Sequence, residues 1–292
     1  MVNKIKYAYT EIKEHGGDPY WWKYRIIDRV IGRILSGNDG VKVMKEDWNN
    51  LIILDGCRYD IFNELNTLKG DLKCIKSIGS TSQEFLLKNF TDEKYDDVIY
   101  VTGNPLVDVY LSGKFHKIVS VWDEGWDHDL NTVTPTTMVE YAIRACEEYP
   151  NKRFIFHFMQ PHHPFIGKKI IGPGLENLRN LAKNSGNKEI QKGVWKLVEE
   201  GKIDKEEAWE AYKDNLKLVL PHIEKMIDYL RGRTVVTSDH GDVVGEYVHP
   251  LIPVKVYGHV GNLRLDSLVK VPWLVLDLAT DENRERQEPE DD

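Results

Sequence analysis

Three short runs in this chain are apolar or β-branched at almost every position, and each stops abruptly at polar residues. They are Asn50-Leu-Ile-Ile-Leu-Asp55, Arg153-Phe-Ile-Phe-His-Phe-Met159 and Arg233-Thr-Val-Val-Thr-Ser-Asp-His-Gly-Asp242. A strand with one wet face alternates in polarity; a strand that is apolar throughout is covered on both faces. Helical patterns separate these runs. The expected fold class is therefore α/β, a doubly wound, mainly parallel sheet with helices on both faces. No repeat of 20–50 residues interrupts that reading.

Further strands are expected over 72–78, 97–102, 116–122 and 269–278, and residues 245–257, with Pro250 and Pro253, read as loop. Helices are expected from Cys57 through Leu65 and from Thr134 to about Tyr149. Gly79-Ser80-Thr81-Ser82-Gln83-Glu84 resembles a capping box opening another. From Asp204 a long helix is expected, with Trp209, Tyr212, Leu216, Val219, Ile223, Ile227 and Leu230 at three- and four-residue spacing and a kink at Pro221. Residues 1–45 read as an N-terminal helical extension, 46–280 as the main domain with a polar surface insertion at about 166–203, and 281–292 as a disordered acidic tail.

Asp18-Pro19 sets an N-cap followed by proline at the first helical position. The helix that follows, Tyr20 to Leu35, mixes Trp21, Trp22, Tyr24, Ile26, Ile27, Val30, Ile31 and Ile34 with Lys23, Arg25, Arg29 and Arg33. A helix packed on the domain is favoured, because aromatic stripes are more often core. The alternative is peripheral contact with an anionic membrane.

Lys and Arg number 39 against 47 Asp and Glu, a net charge of −8, which argues against a broad nucleic-acid footprint. Cys57, Cys74 and Cys146 form no CxxC pair, so a reducing compartment is expected. No apolar run approaches the ~20 residues of a transmembrane helix, and no signal-peptide core is visible. The expectation is a soluble, cytoplasmic protein.

Ligands in open α/β sheets bind beyond the carboxyl ends of the strands. Asp55, Asp239 and His240 sit there, and Pro161-His162-His163-Pro164 follows another strand end. Carboxylates with imidazole suit a divalent cation: Zn, Mn, Mg or Ca. Such a cation lowers the pKa of a neighbouring hydroxyl, here Thr81 at a helix N-terminus, with Ser80 and Ser82 as alternatives. Arg58 is a candidate to bind a tetrahedral anion. His162 and His259 are candidates to bind oxygens, protonate a leaving group or complete a second metal site. Asp242 reads equally as a partner orienting His240 or as a solvated loop acid. Cys57 and Cys146 read as packed thiols, His163 as a loop residue, and Tyr212 and Asp214 as parts of helix packing and its solvent face.

Taken together, Ile-Ile-Leu-Asp55, Ser-Thr81-Ser, Pro-His162-His-Pro-Phe, Ser-Asp239-His240-Gly and Gly-His259 resemble the alkaline phosphatase/sulfatase superfamily, in order and spacing, from about residue 50 to residue 276. Asp-Gly-Cys-Arg-Tyr-Asp60 is similar to the opening of archaeal sulfatase-like members. The resemblance implies a metal held by Asp55, Thr81, Asp239 and His240, and a covalent intermediate on Thr81. His259 would match the phosphatases' C-terminal metal-site histidine, and His162 a substrate-contacting one. Sulfatases carry Cys-x-Pro-x-Arg or Ser-x-Pro-x-Arg; this chain has neither around Cys57, Cys74 or Thr81, which favours phosphate over sulfate esters. An Asp stands near the position of His162 in two-metal phosphatases, so one tightly held metal is expected. The expected substrate is a small-molecule or glycan- or lipid-linked ester, cleaved or transferred. A sulfuric-ester hydrolase and a non-catalytic protein retaining the fold are the alternatives.

Overall fold

The computed structural model describes residues 12–13, 16–35, 39–183 and 192–278. The expected acidic tail lies outside the described residues.

The strands in chain order are β1 (Asn50–Leu54), β2 (Asp71–Lys76), β3 (Tyr95–Thr102), β4 (Phe115–Ser120), β5 (Arg153–Phe158), β6 (Phe165–Ile166), β7 (Ile170–Ile171), β8 (Gly232–Thr237), β9 (Val243–His249), β10 (Ile252–Gly258) and β11 (Lys270–Leu278). Seven of them form one sheet in the order β2-β11-β8-β1-β5-β3-β4. The pairings along β8-β1-β5-β3-β4 are all parallel, and β11 runs antiparallel to both β8 and β2. The expected doubly wound, mainly parallel sheet is therefore present.

Strand β1 shows why its sequence has no polar alternation. Ile52 and Leu54 point into one core with Phe156, Phe158 and Leu216. Leu51 and Ile53 point into the other with Phe85, Phe90 and Ile155. Burial of a side chain this size stabilises by about 1.5–3 kcal/mol, so both helix layers are fixed to the same strand.

Six helices matter for the site: α1 (Pro19–Ile26), α2 (Tyr59–Leu65), α3 (Ser82–Phe90), α4 (Pro135–Glu148), α5 (Val194–Glu199) and α6 (Lys205–Ile227). Asp18 caps α1 by accepting from Tyr20 N at 2.8 Å, with Pro19 at the first position, as expected. Helix α6 continues through Pro221 after an Asp204 cap.

Two expectations are corrected. Residues 245–257 are no loop: β9 and β10 form an antiparallel hairpin whose register shifts between Ile252 and Lys255. Pro253 sits within that irregularity, where its missing N–H costs no ladder bond. The 166–203 insertion is also not wholly superficial. Val194 and Trp195 are buried in the core on the face of α6, and Trp195 packs against Phe165 and Tyr212.

Candidate metal centre

Strands β1, β5 and β8 are adjacent, with Ile53 in register with His157 on one side and Thr237 on the other. The residues that follow β1 and β8 therefore leave the sheet side by side. Asp55, Asp239 and His240 are all buried. Gly56, at φ +66°, turns the chain in the left-handed region, and its N–H donates to Asp239 Oδ1 at 3.0 Å. Gly241 is needed for a different reason than a sharp turn. Its φ is not positive, but a Cβ there would stand 2.2 Å from the Ser267 carbonyl oxygen.

The convergence is tight. His240 Nε2 lies 3.7 Å from Asp55 Oδ1 and 3.5 Å from Asp239 Oδ2. His157 Nε2 lies 3.5 Å from Asp55 Oδ2 and 3.9 Å from Asp239 Oδ2. Ligand atoms about 2.0–2.1 Å from a tetrahedral Zn²⁺ are about 3.3–3.4 Å apart, slightly closer than these separations; Asp55, His157 and Asp239 each bring one potential ligand atom within 4.8 Å of the others. Asp55 Oδ1, Asp239 Oδ2 and His157 Nε2 are buried and have no hydrogen-bond partner. Buried polar atoms left unpaired are costly, and three aimed at one point fit a positive ion. The donor set of two carboxylates and two imidazoles suits Zn²⁺ or Mn²⁺.

The imidazoles are oriented for this. His240 Nδ1 donates to the Gly241 carbonyl at 3.0 Å, which leaves Nε2 as the lone-pair nitrogen when the ring is neutral. His157 Nδ1 is 3.0 Å from the Tyr100 hydroxyl. Burial favours a neutral Asp55, but His157, His162 and His240 outweigh it and hold the carboxyl well below the usual range. Asn104 Nδ2 donates to Asp55 Oδ2 at 2.7 Å and fixes the carboxylate plane.

A second group adjoins the first. His240, Asp242 and His259 bring potential ligand atoms within 4.8 Å of one another. His259 Nδ1 donates to Asp242 Oδ1 at 3.0 Å, while Asp242 Oδ2 is buried without a partner. Burial pushes the His259 pKa down, but the Asp242 carboxylate reverses this and raises it. Asp242 is thus a buried partner of His259, not a solvated loop acid. The His162 ring centroid is 5.3 Å from that of His259, and His162 Nδ1 donates to the His163 carbonyl at 2.7 Å. Both rings have Nδ1 fixed and Nε2 available.

The three hydroxyls before α3 face different ways. Ser80 Oγ lies 2.7 Å from Glu84 Oε2 and 2.9 Å from the Val260 carbonyl, either of which can accept its one proton. Thr81 is the N-cap of α3, its Oγ1 accepting from Glu84 N at 3.2 Å. Ser82 Oγ lies 3.4 Å from Asp55 Oδ2 and 3.2 Å from His240 Nε2. The hydroxyl that adjoins the cluster is therefore that of Ser82, while Thr81, one residue earlier, caps the helix.

Arg58 is engaged elsewhere than the sequence reading placed it. Its guanidinium forms a fork with Asp60 at 2.9 and 2.6 Å, and also donates to Glu246 Oε1 at 2.9 Å and the Asp242 carbonyl at 3.0 Å. These bonds hold the Asp242 segment and leave little of the guanidinium for an anion.

Helix α6 clamps two site loops from behind. The Tyr212 hydroxyl donates to the Gly56 carbonyl and accepts from Arg58 N. Asn215, one turn on, donates to the carbonyls of Pro161, His162 and Pro164 and accepts from Ile166 N.

His157, Asn104 and the reach of Ser82 were not found from the sequence. His157 is embedded in an apolar run and reads as core; only the register with Ile53 reveals what it faces.

No family model and no curated protein matches the sequence. Solved structures do. Lipooligosaccharide phosphoethanolamine transferase A from Neisseria meningitidis, an integral membrane protein, is similar over 78% of this chain and 47% of its own, at 12% identity and a TM-score of 0.53. The chain thus spans about half the length of that protein. The C-terminal periplasmic domain of the Escherichia coli EptC protein, in complex with Zn, is similar over 83% of this chain and 75% of its own, at 14% identity and a TM-score of 0.51. Identities this low show a shared fold and nothing further. A particular closeness to archaeal sulfatase-like proteins has no support among these neighbours.

Proposed function

We propose that this chain is a metal-dependent enzyme acting on phosphate esters, with Asp55, Asp239, His240 and His157 holding one divalent cation and Ser82 as the nucleophile. The observation that carries the reading is the set of buried, partnerless ligand atoms on three adjacent strands or their ends. One neighbour named as a phosphoethanolamine transferase and another in complex with Zn support the same class.

A bound cation would supply positive charge that lowers the pKa of the attacking hydroxyl and offsets charge on the ester oxygens. The chain's residues do the rest. The Ser82 oxygen, its proton released to solvent, forms a bond to phosphorus as the bond to the ester oxygen breaks in line. The departing oxygen takes a proton from Nε2 of His259, whose protonated form the Asp242 carboxylate favours. In a second displacement an incoming hydroxyl, from water or an alcohol, attacks phosphorus, gives its proton to the same imidazole and frees Ser82. Water gives a hydrolase; an alcohol gives a transferase, as in the named activity of the neighbours. Helix α3 begins at this point, and its N-terminus favours an anionic substrate.

Thr81 is the second reading, favoured by its half-buried position at the α3 cap and by the motif match. His259 with Asp242 is proposed to handle protons or a second cation, and Arg58 to hold the Asp242 segment. The substrate class extends to glycan- or lipid-linked phosphate esters.

The test is turnover of a phosphomonoester, a phosphodiester and a sulfate monoester by metal-loaded protein, alongside Ser82→Ala and Thr81→Ala. Turnover of a phosphorus ester that Ser82→Ala abolishes supports the reading. No turnover of any phosphorus ester, or turnover of the sulfate ester alone, would overturn it.

A further inference from the structure

The helical segment from α1 onward continues through a π turn, Ile27–Ile31, into a final turn, Gly32–Leu35. One side of it is fastened to the domain. Ile27 is buried with Val243, Val248, Val256 and Val260, and Ile31 packs beside it. Tyr24 accepts from Tyr257 N at 3.0 Å and donates to Glu199 Oε2 at 2.8 Å, and Asn262 donates to Asp28 at 3.0 Å. The packed helix expected from the sequence is present, and it accounts for only half of the apolar residues.

Four of the remainder face outward. Trp22, Ile26, Val30 and Ile34 are exposed by 39, 50, 50 and 76%, and they recur at every fourth position. In a plain α-helix that spacing drifts by about 40° per step. The π turn holds more residues per turn and takes up part of the drift, so the four stay on one side. Arg25 and Arg29 run beside this stripe, and Arg33 continues their spacing in the sequence. The segment 19–35 carries four basic residues and one acid, in a chain whose net charge is −8. An apolar stripe edged by cations on an otherwise acidic protein matches the interface of an anionic bilayer, where acyl chains lie beneath negative headgroups. A partner protein with an apolar groove would not call for that local reversal of charge.

We propose that this helix docks the protein on an anionic lipid surface, lying in the interface with Trp22, Ile26, Val30 and Ile34 inserted. The packed side of the same helix touches the segment that carries His259: a Cβ on Gly261 would stand 3.0 Å from Asp28, and one on Gly32 would stand 3.0 Å from Asn262. The inference stands apart from the catalytic reading, because vesicle binding is read without turnover.

The experiment is flotation of the full chain with phosphatidylcholine vesicles, with and without phosphatidylglycerol. The protein is expected to float with the anionic vesicles, and less with neutral ones or at high salt. Ile26→Glu/Val30→Glu should lower partitioning by more than about tenfold, and Ile34→Glu alone should do so in a milder form, both with unchanged thermal stability. Arg29→Gln should lower it by about fivefold. Wild-type protein that stays with neither vesicle would overturn the proposal. So would charge-reversed variants that float like wild type, or variants that abolish self-association instead of vesicle binding.

Discussion

Ser82 Oγ sits 3.2 Å from Nε2 of His240, whose ring is fixed from its far side by the Gly241 carbonyl. The pair ties the start of helix α3 to the end of strand β8. It joins the hydroxyl to the cluster of Asp55, Asp239 and His157 and sets it apart from Thr81, whose oxygen closes the helix cap.

Ser82→Ala should therefore lower kcat/KM by on the order of 10³-fold or more, as loss of a nucleophile does. Thr81→Ala should cost about 1 kcal/mol of stability through the lost cap and retain most turnover. Steady-state kinetics with chemical denaturation of both variants separate the two oxygens. Retained turnover in Ser82→Ala with loss in Thr81→Ala would return the role to Thr81.

Metal linkage gives a second expectation. Zn²⁺ or Mn²⁺ should raise the melting temperature of the wild-type chain, by an amount that grows with the logarithm of free metal above Kd. Asp239→Asn and His157→Phe should flatten that dependence. In the metal-free form Asp239→Asn should cost little, because it removes one of two facing carboxylates. Equal metal-induced shifts in wild type and Asp239→Asn would contradict this.

Glu84 supplies the pH dependence. Burial favours its neutral form, but Lys88 and the Ser80 hydroxyl and N–H outweigh that and hold its pKa below the ordinary 4.5. A carboxyl depressed in the folded state adds stability that is fully present above the unfolded pKa and is lost as pH falls through the folded one. Glu84→Gln should thus be less stable than wild type at pH 7, by about 1–2 kcal/mol. The difference should shrink on acidification below about pH 4. Denaturation curves at several pH values check the sign; a gap that widens in acid would contradict it.

Tyr212 should matter through the loops it holds. Tyr212→Phe leaves the Gly56 carbonyl and the Arg58 N–H without their buried partner. A loss of about 1–3 kcal/mol is expected, together with weaker metal binding, measured by denaturation and metal titration. Lost metal binding with unchanged stability would point to a direct role instead.

Much of this architecture is legible in the residues. The double-sided burial of Leu51–Leu54 announces a covered parallel sheet, and Asp55, Asp239 and His240 stand at strand ends where such sheets bind ligands. What escapes the sequence depends on register and side-chain direction. His157 becomes significant only when Ile53 is seen beside it. Ser80, Thr81 and Ser82 are equivalent as letters, and the capping bonds of Glu84 decide which oxygen turns inward. Arg58 reads as an anion clamp until Asp60 and Glu246 are found against it. The β9–β10 hairpin is hidden because Pro253 reads as loop when its place is a bulge.

The most direct test is anomalous diffraction at the zinc edge from a metal-loaded crystal. The account predicts a peak about 2.0–2.2 Å from oxygens of Asp55 and Asp239 and from nitrogens of His240 and His157, with Ser82 Oγ alongside. A peak bound elsewhere, or no peak at this cluster with zinc in excess, would contradict it.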